Sequence, residues 1–249
     1  MAALEEALGG YRRSCESFRW EVPDGFNFGR DVVDRFAEEP ERPALLWRNA
    51  EGRERRLRFS DVSRLSNQFA HLLTGLGLSP GDPVIIMLPR VPEWQVAMVG
   101  ALKAGALVIP CSTILRPQDI RYRAAHSGAV AIVAATEQIA AVEEVRRELS
   151  TVSHYLAWPG ERSATPEGWT ELATGLDAQP ADGSAGRETR ASDPALVYYT
   201  SGTTGPPKAV LHDHAYTWSQ RYTAEFWLGV AGEDRLWTTS DTGWAKAAY

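Results

Sequence analysis

Cysteine is almost absent: the 249 residues hold two, Cys15 and Cys111, far apart and without the Cys-x-x-Cys spacing of a zinc or redox motif. A disulfide framework is therefore excluded, and such sparse use fits the reducing cytoplasm. Long apolar runs are missing too. The most apolar stretch, Trp94 to Pro110, is broken by Gln95 and Lys103 and falls short of the roughly 20 apolar residues a membrane span needs. No transmembrane helix is expected. The chain opens Met-Ala-Ala-Leu-Glu-Glu, with acids where an export signal would be basic, so no signal peptide is expected. No run of basic residues exceeds two, and 26 Lys and Arg against 32 Asp and Glu leave a formal charge of −6. That balance argues against a nucleic-acid footprint. What remains, 44% apolar and 23% charged residues, is the composition of a protein able to bury a core.

The chain reads as alternating elements. Arg30 to Glu38 is a short helix, and Pro43 to Arg48 with Arg55 to Phe59 form two strands around the Glu51-Gly52 turn. Ser60 is expected to cap a helix in which Val62, Leu65, Phe69, Leu72, Leu73 and Leu76 recur at the three- and four-residue spacing of one face. Val84 to Leu88 is a continuous apolar run of the kind buried in parallel sheets. Helices over Pro92 to Lys103, Pro117 to His126 and Glu137 to Leu149 then alternate with strands over Leu107 to Ile109, Ala129 to Ala134 and His154 to Trp158. Strand and helix in alternation give an α/β fold, a mostly parallel sheet covered by helices. Residues 159–194 shift to Gly, Ser, Ala, Thr, Pro and Asp and are expected to be a flexible surface connection, polar above all from Asp177 to Ser192. Ala195 to Tyr199 returns to a buried-strand pattern.

The densest chemistry follows that strand: Thr200-Ser201-Gly202-Thr203-Thr204-Gly205-Pro206-Pro207-Lys208. Glycines let the backbone turn tightly and meet a ligand without an intervening side chain. Consecutive amides can point at an anion, the four hydroxyls can donate to its oxygens, and Lys208 adds a positive charge. Such a loop suits a polyphosphate. It is not a Walker A loop, because Pro207 stands before Lys208 and Ala209 after it, where that pattern needs Gly and then Ser or Thr.

Tyr199 to Lys208 resembles the ATP-phosphate loop of the AMP-forming adenylating enzymes, the superfamily of acyl-CoA synthetases, adenylation domains and firefly luciferase. Seven fixed positions at residue frequencies of roughly 5 to 7% put a chance match on the order of 10⁻⁸ per window, which removes coincidence as an explanation. Leu102-Lys103-Ala104-Gly105-Ala106 before Pro110, His212 four residues past Lys208, and Ser240-Asp241-Thr242-Gly243-Trp244 resemble further segments of these families, the last pointing to short- and medium-chain acyl-CoA synthetases. The resemblance runs from about Phe26-Asn27-Phe28 to the last residue.

It implies the N-terminal part of a synthetase large domain over 26–249, preceded by an N-terminal extension over 1–25. It also implies a two-step ligase. A small carboxylic acid, fatty or aromatic, attacks ATP to give an acyl-adenylate and pyrophosphate, and coenzyme A then takes the acyl group as AMP leaves. The implied cofactors and co-substrates are ATP, Mg²⁺ and coenzyme A. By the same resemblance Thr200 to Lys208 hold the ATP phosphates, and His212 and Trp244 lie near the acyl pocket. His214 is expected to be a solvated or hydrogen-bonded neighbour, Lys103 a helix-surface residue, and Lys246 only a charge.

The family's later segments are not among these residues: an aromatic-Gly-x-Thr-Glu segment for adenine and Mg²⁺, a ribose-binding aspartate, and a C-terminal domain with the adenylation lysine. Gly168-Trp169-Thr170-Glu171 echoes the first of these but precedes the phosphate loop, so it is set aside. The chain therefore reads as part of a longer synthetase, its catalytic residues outside this sequence. The alternatives are a non-catalytic nucleotide-binding or interaction fragment, and an adenylation domain that loads a carrier protein.

Overall fold

The computed structural model describes residues 2–158, 160, 165–182, 188–200, 205–232 and 234–247. After helix α1 (Ala2–Ser17), a π-helical turn (Gly29–Asp34) runs into the single turn α2 (Arg35–Ala37). Strands β1 (Pro43–Arg48) and β2 (Glu54–Arg58) pair antiparallel, with Leu45 opposite Leu57, as the Glu51-Gly52 turn predicts. Helix α3 (Phe59–Gly75) follows directly. Its start is fixed not by Ser60 but by Asp61, whose carboxylate accepts from the Arg58 amide at 2.9 Å. An acid three residues into the helix satisfies a free amide that the expected serine leaves alone.

The rest is one seven-stranded sheet in the order β7-β6-β5-β3-β4-β8-β9. Its strands are β3 (Pro83–Met87), β4 (Leu107–Pro110), β5 (Ala131–Ala135), β6 (His154–Trp158), β7 (Thr170–Glu171), β8 (Pro194–Thr200) and β9 (Lys208–Asp213). All neighbours are parallel except β8 and β9. Burial on both faces explains the continuous apolar runs. Val84, Ile86 and Leu88 face a core built with α3 and α4 (Pro92–Lys103), while Ile85 and Met87 face a second core built with α5 (Pro117–Ser127) and α6 (Thr136–Val145). Helix α4 lies so close to α3 that a Cβ at Gly100 would sit 2.6 Å from the Ser66 carbonyl oxygen and 2.7 Å from the Phe69 Cβ.

The sheet is mostly parallel, as expected, with β9 antiparallel at one edge because a short loop can join two strands only antiparallel. Two other expectations change. The stretch 159–194 is not wholly a connection. It contains β7 and helix α7 (Leu172–Asp177), and Trp169, Leu172 and Leu176 are buried; the polar composition hides an apolar pair spaced four apart. Within the part read as most polar, Thr189 is buried too, its hydroxyl accepting from Asn27 Nδ2 at 3.2 Å. The second change is Lys103. It is 1% exposed, its ammonium paired with Asp34 and donating to Asn67 Oδ1 at 2.7 Å and to the Ser63 carbonyl at 3.3 Å. Partners from two other segments make burial of that charge possible.

Candidate functional site

Because β8 runs parallel to β4 and β9 returns against it, Thr200 and Lys208 stand together at the carboxyl edge of the sheet. They are register partners, and the Thr200 hydroxyl donates to the Lys208 carbonyl at 3.4 Å. The expected phosphate loop is thus the connection of a β-hairpin. Ser201, Gly202, Thr203 and Thr204 lie outside the described residues; Gly205, Pro206 and Pro207 complete the return limb. Gly205 has no positive φ, and among the described residues a Cβ there would meet nothing within 4 Å. Neither backbone conformation nor packing against those residues accounts for glycine here. Lys208 is exposed, and its ammonium has no side-chain partner among the described residues.

The same edge holds the second recognised segment. Connections leave β3 and β4 toward opposite faces, through α4 and α5, the divergence that in open α/β sheets marks the place of ligand crevices. Residues 239–244 lie against these strand ends. Thr242, 2% exposed, donates to the Leu88 carbonyl at 2.8 Å, and Arg90 donates to the Thr239 carbonyl at 2.7 Å. A Cβ at Gly243 would overlap the Ser112 nitrogen and lie 2.7 Å from the Cys111 carbonyl carbon, so only glycine fits. The Asp241 carboxylate accepts from the Gly243 amide at 2.9 Å and tightens the turn. Trp244 is then held at the rim with 61% of its surface open.

Not every predicted site residue gathers here. His212 pairs with Leu196, four residues along β9 from Lys208 and so about 13 Å away. Its ring packs 4.0 Å from Tyr216, centroid to centroid, in helix α8 (His214–Tyr222), and it lines a hollow of about 380 Å³ with Trp20, Leu211 and Tyr216. Desolvation lowers its pKa, against the pull of Asp213. His214, expected to be a solvated or hydrogen-bonded neighbour, is fully buried with no hydrogen-bond partner for either ring nitrogen among the described residues. Burial lowers its pKa, with Asp193 and Asp213 opposing and Arg30 reinforcing the shift. Trp169, in the segment set aside, is buried and donates to Glu143 Oε1 at 2.6 Å, a packing role. Sequence reading missed the docking of Thr242 and Gly243; the pairing of a small hydroxyl with glycine before Trp244 was the available signal.

Among the described residues no group of three or more His, Cys, Asp or Glu side chains could hold a metal, and no helix is long and apolar enough to cross a membrane. Residues 32–248 match the family model described as AMP-binding enzyme. Mouse "Acyl-coenzyme A synthetase ACSM3, mitochondrial" is 33% identical over 255 residues, covering 99% of this chain and 43% of that protein. That name departs from the cytoplasmic expectation. The Brucella canis acyl-CoA synthetase structure superimposes with a TM-score of 0.86 at 25% identity, over 96% of this chain and 44% of that one. The anthranilate CoA ligase AuaEII, solved with anthranoyl-AMP, gives 0.72 at 25% identity, over 85% and 39%. The chain spans less than half the length of these proteins. The hairpin from Thr200 to Lys208 lies within the matched residues, which make up most of the chain, and the chain belongs to the AMP-binding enzyme family.

Proposed function

We propose that the chain is the phosphate-binding part, residues 26–249, of an AMP-forming acid–CoA ligase of the medium-chain type. The observation that carries this is the pairing of Thr200 with Lys208 at the edge where Trp244 is also held. In the reaction proposed, a carboxylate oxygen attacks the α-phosphorus of ATP and pyrophosphate leaves. The thiolate of coenzyme A then attacks the acyl carbon and AMP leaves. The amides and hydroxyls between Thr200 and Gly205 would donate hydrogen bonds to the phosphates, Pro206 and Pro207 would shape the loop, and Lys208 would neutralise charge growing on the departing pyrophosphate. Trp244, exposed at the rim, is proposed to meet the acyl group, and His212 to line a more distant hollow. The Mg²⁺ implied by the resemblance finds no acidic ligand set among the described residues, so these residues do not form a metal cage and no step is drawn through it.

The anthranilate ligase solved with anthranoyl-AMP supports adenylate chemistry, and the named synthetases support coenzyme A over a carrier protein as acceptor. A reducing compartment suits the two unpaired cysteines. Between cytoplasm, favoured by composition, and mitochondrion, favoured by the mouse relative's name, organelle fractionation decides. Lys208→Ala should weaken ATP binding about 10- to 100-fold by calorimetry, the loss of a charge-assisted contact of roughly 1.5 to 3 kcal/mol. Unchanged affinity, or no ATP binding by the parent chain, removes the loop from the proposal.

A further inference from the structure

We infer that Tyr122 is a positioning residue for the phosphate hairpin, holding the Pro207 carbonyl and so setting the direction in which Lys208 leaves the loop. The inference rests on the proposed reading of that loop. Tyr122 lies on α5, 85 residues away in sequence, and its hydroxyl donates to the Pro207 carbonyl at 3.0 Å. Proline has no N–H, so the carbonyl is the only backbone group by which this residue can be held through a conventional hydrogen bond. The Pro207 carbonyl and the Lys208 nitrogen share one rigid peptide plane. Fixing the oxygen therefore fixes the point and angle at which β9 begins.

The tyrosine is itself braced. Its ring stacks on His126 at 5.5 Å and meets the Tyr199 ring edge-on at 6.2 Å. His126 Nδ1 lies 2.9 Å from the Tyr199 hydroxyl, and the Arg123 guanidinium stands 5.2 Å from the centroid of the Tyr199 ring. Burial pushes the Tyr199 phenol up to about 12, so it keeps its proton and can donate to His126. Tyr199 is the register partner of Ala209, one step from the Thr200 and Lys208 pair. One face of α5 thus grips both limbs of the hairpin, the outgoing limb through Tyr199 and the returning limb through Pro207. A binding group must be held within about 0.5 Å of its productive position to give its full contribution, and Lys208, exposed on a returning strand, is held through its neighbours.

The test is Tyr122→Phe in this chain, which keeps the ring and removes the hydroxyl. Calorimetry with ATP and with AMP is run beside Lys208→Ala, and thermal melting is recorded for each. ATP affinity should fall about 3- to 10-fold, the worth of one neutral hydrogen bond, while AMP affinity and the melting midpoint stay near the parent's. If Lys208→Ala weakens ATP but Tyr122→Phe does not, the positioning role is overturned and the loop assignment stands. If Tyr122→Phe lowers the melting midpoint and leaves the ratio of ATP to AMP affinity unchanged, Tyr122 is structural and the inference fails. If Lys208→Ala has no effect, or the parent binds no ATP, the loop assignment falls and the inference with it.

Discussion

Two lysines divide the molecule into a region that holds charge in and a region that offers it out. Lys103 ends α4 inside the domain, 1% exposed, held by Asp34, Asn67 and the Ser63 carbonyl. Lys208 opens β9 at the sheet edge, exposed, opposite Thr200. A buried ammonium has lost its hydration, and every donor bond lost must be replaced from the protein; that burial lowers the Lys103 pKa, with Asp34 pulling it back up. An edge ammonium keeps its water until a ligand displaces it. The first kind of lysine ties segments together, and the second is available for binding.

The largest expected effect tests that division directly. Lys103→Ala should destabilise the chain by about 3 to 5 kcal/mol in urea unfolding, since it leaves the Asp34 carboxylate with only the Ser63 hydroxyl and the Asn67 amide oxygen without its donor. The Asp34→Ala, Lys103→Ala double variant should lose much less than the sum of the two single losses, because the two groups satisfy one another. A loss below about 1 kcal/mol for Lys103→Ala would show that water replaces the ion pair and would erase the contrast with Lys208.

Gly243 sharpens the comparison at the edge. An added methyl has no room against the Cys111–Ser112 backbone, so Gly243→Ala should displace residues 239–244 from the strand ends at a cost of about 1 to 3 kcal/mol. Trp244 should then shift its fluorescence while the sheet, followed by far-ultraviolet dichroism, persists. Loss of both signals together would mean that this segment belongs to the cooperative core.

Acid pH probes the buried side in another way. The His214 pKa is lowered in the folded chain, so the unfolded chain binds the proton more readily; stability is full above the ordinary value of about 6.5 and is lost as pH falls through the folded value. The contribution cannot exceed about 1.4 kcal/mol per pH unit for one proton. His214→Gln should flatten that slope below about pH 6.5, and an unaltered slope would shift the cause to other groups.

Legibility followed the same division. The runs at β3, β5 and β6 announced themselves because strands buried on both faces favour apolar residues, whereas the loop from Thr200 to Lys208 stood out by composition alone and its role is a proposal. Lys103 did not, since its type suggests the surface and its partners come from residues 34, 63 and 67, which no local pattern connects to it. Strand β9 was missed because Lys208 to Leu211 are exposed and carry no alternation of burial. The seat of Gly243 against Ser112 was equally invisible, being a contact between segments more than 100 residues apart.

The smallest expected effect on stability is also the one that separates the two lysines most sharply. Lys208 is exposed, and among the described residues it takes part in the fold through its backbone, in the pairing with Thr200. Lys208→Ala keeps that backbone, so the unfolding free energy should change by no more than about 0.5 kcal/mol, the range of an ordinary surface substitution. The same variant should lose about 10- to 100-fold in ATP affinity. Measured together, a binding loss without a stability loss assigns the side chain to the ligand. A stability loss of 2 kcal/mol or more would mean that the ammonium is already committed to a protein partner, and the edge would then differ from the interior only in exposure.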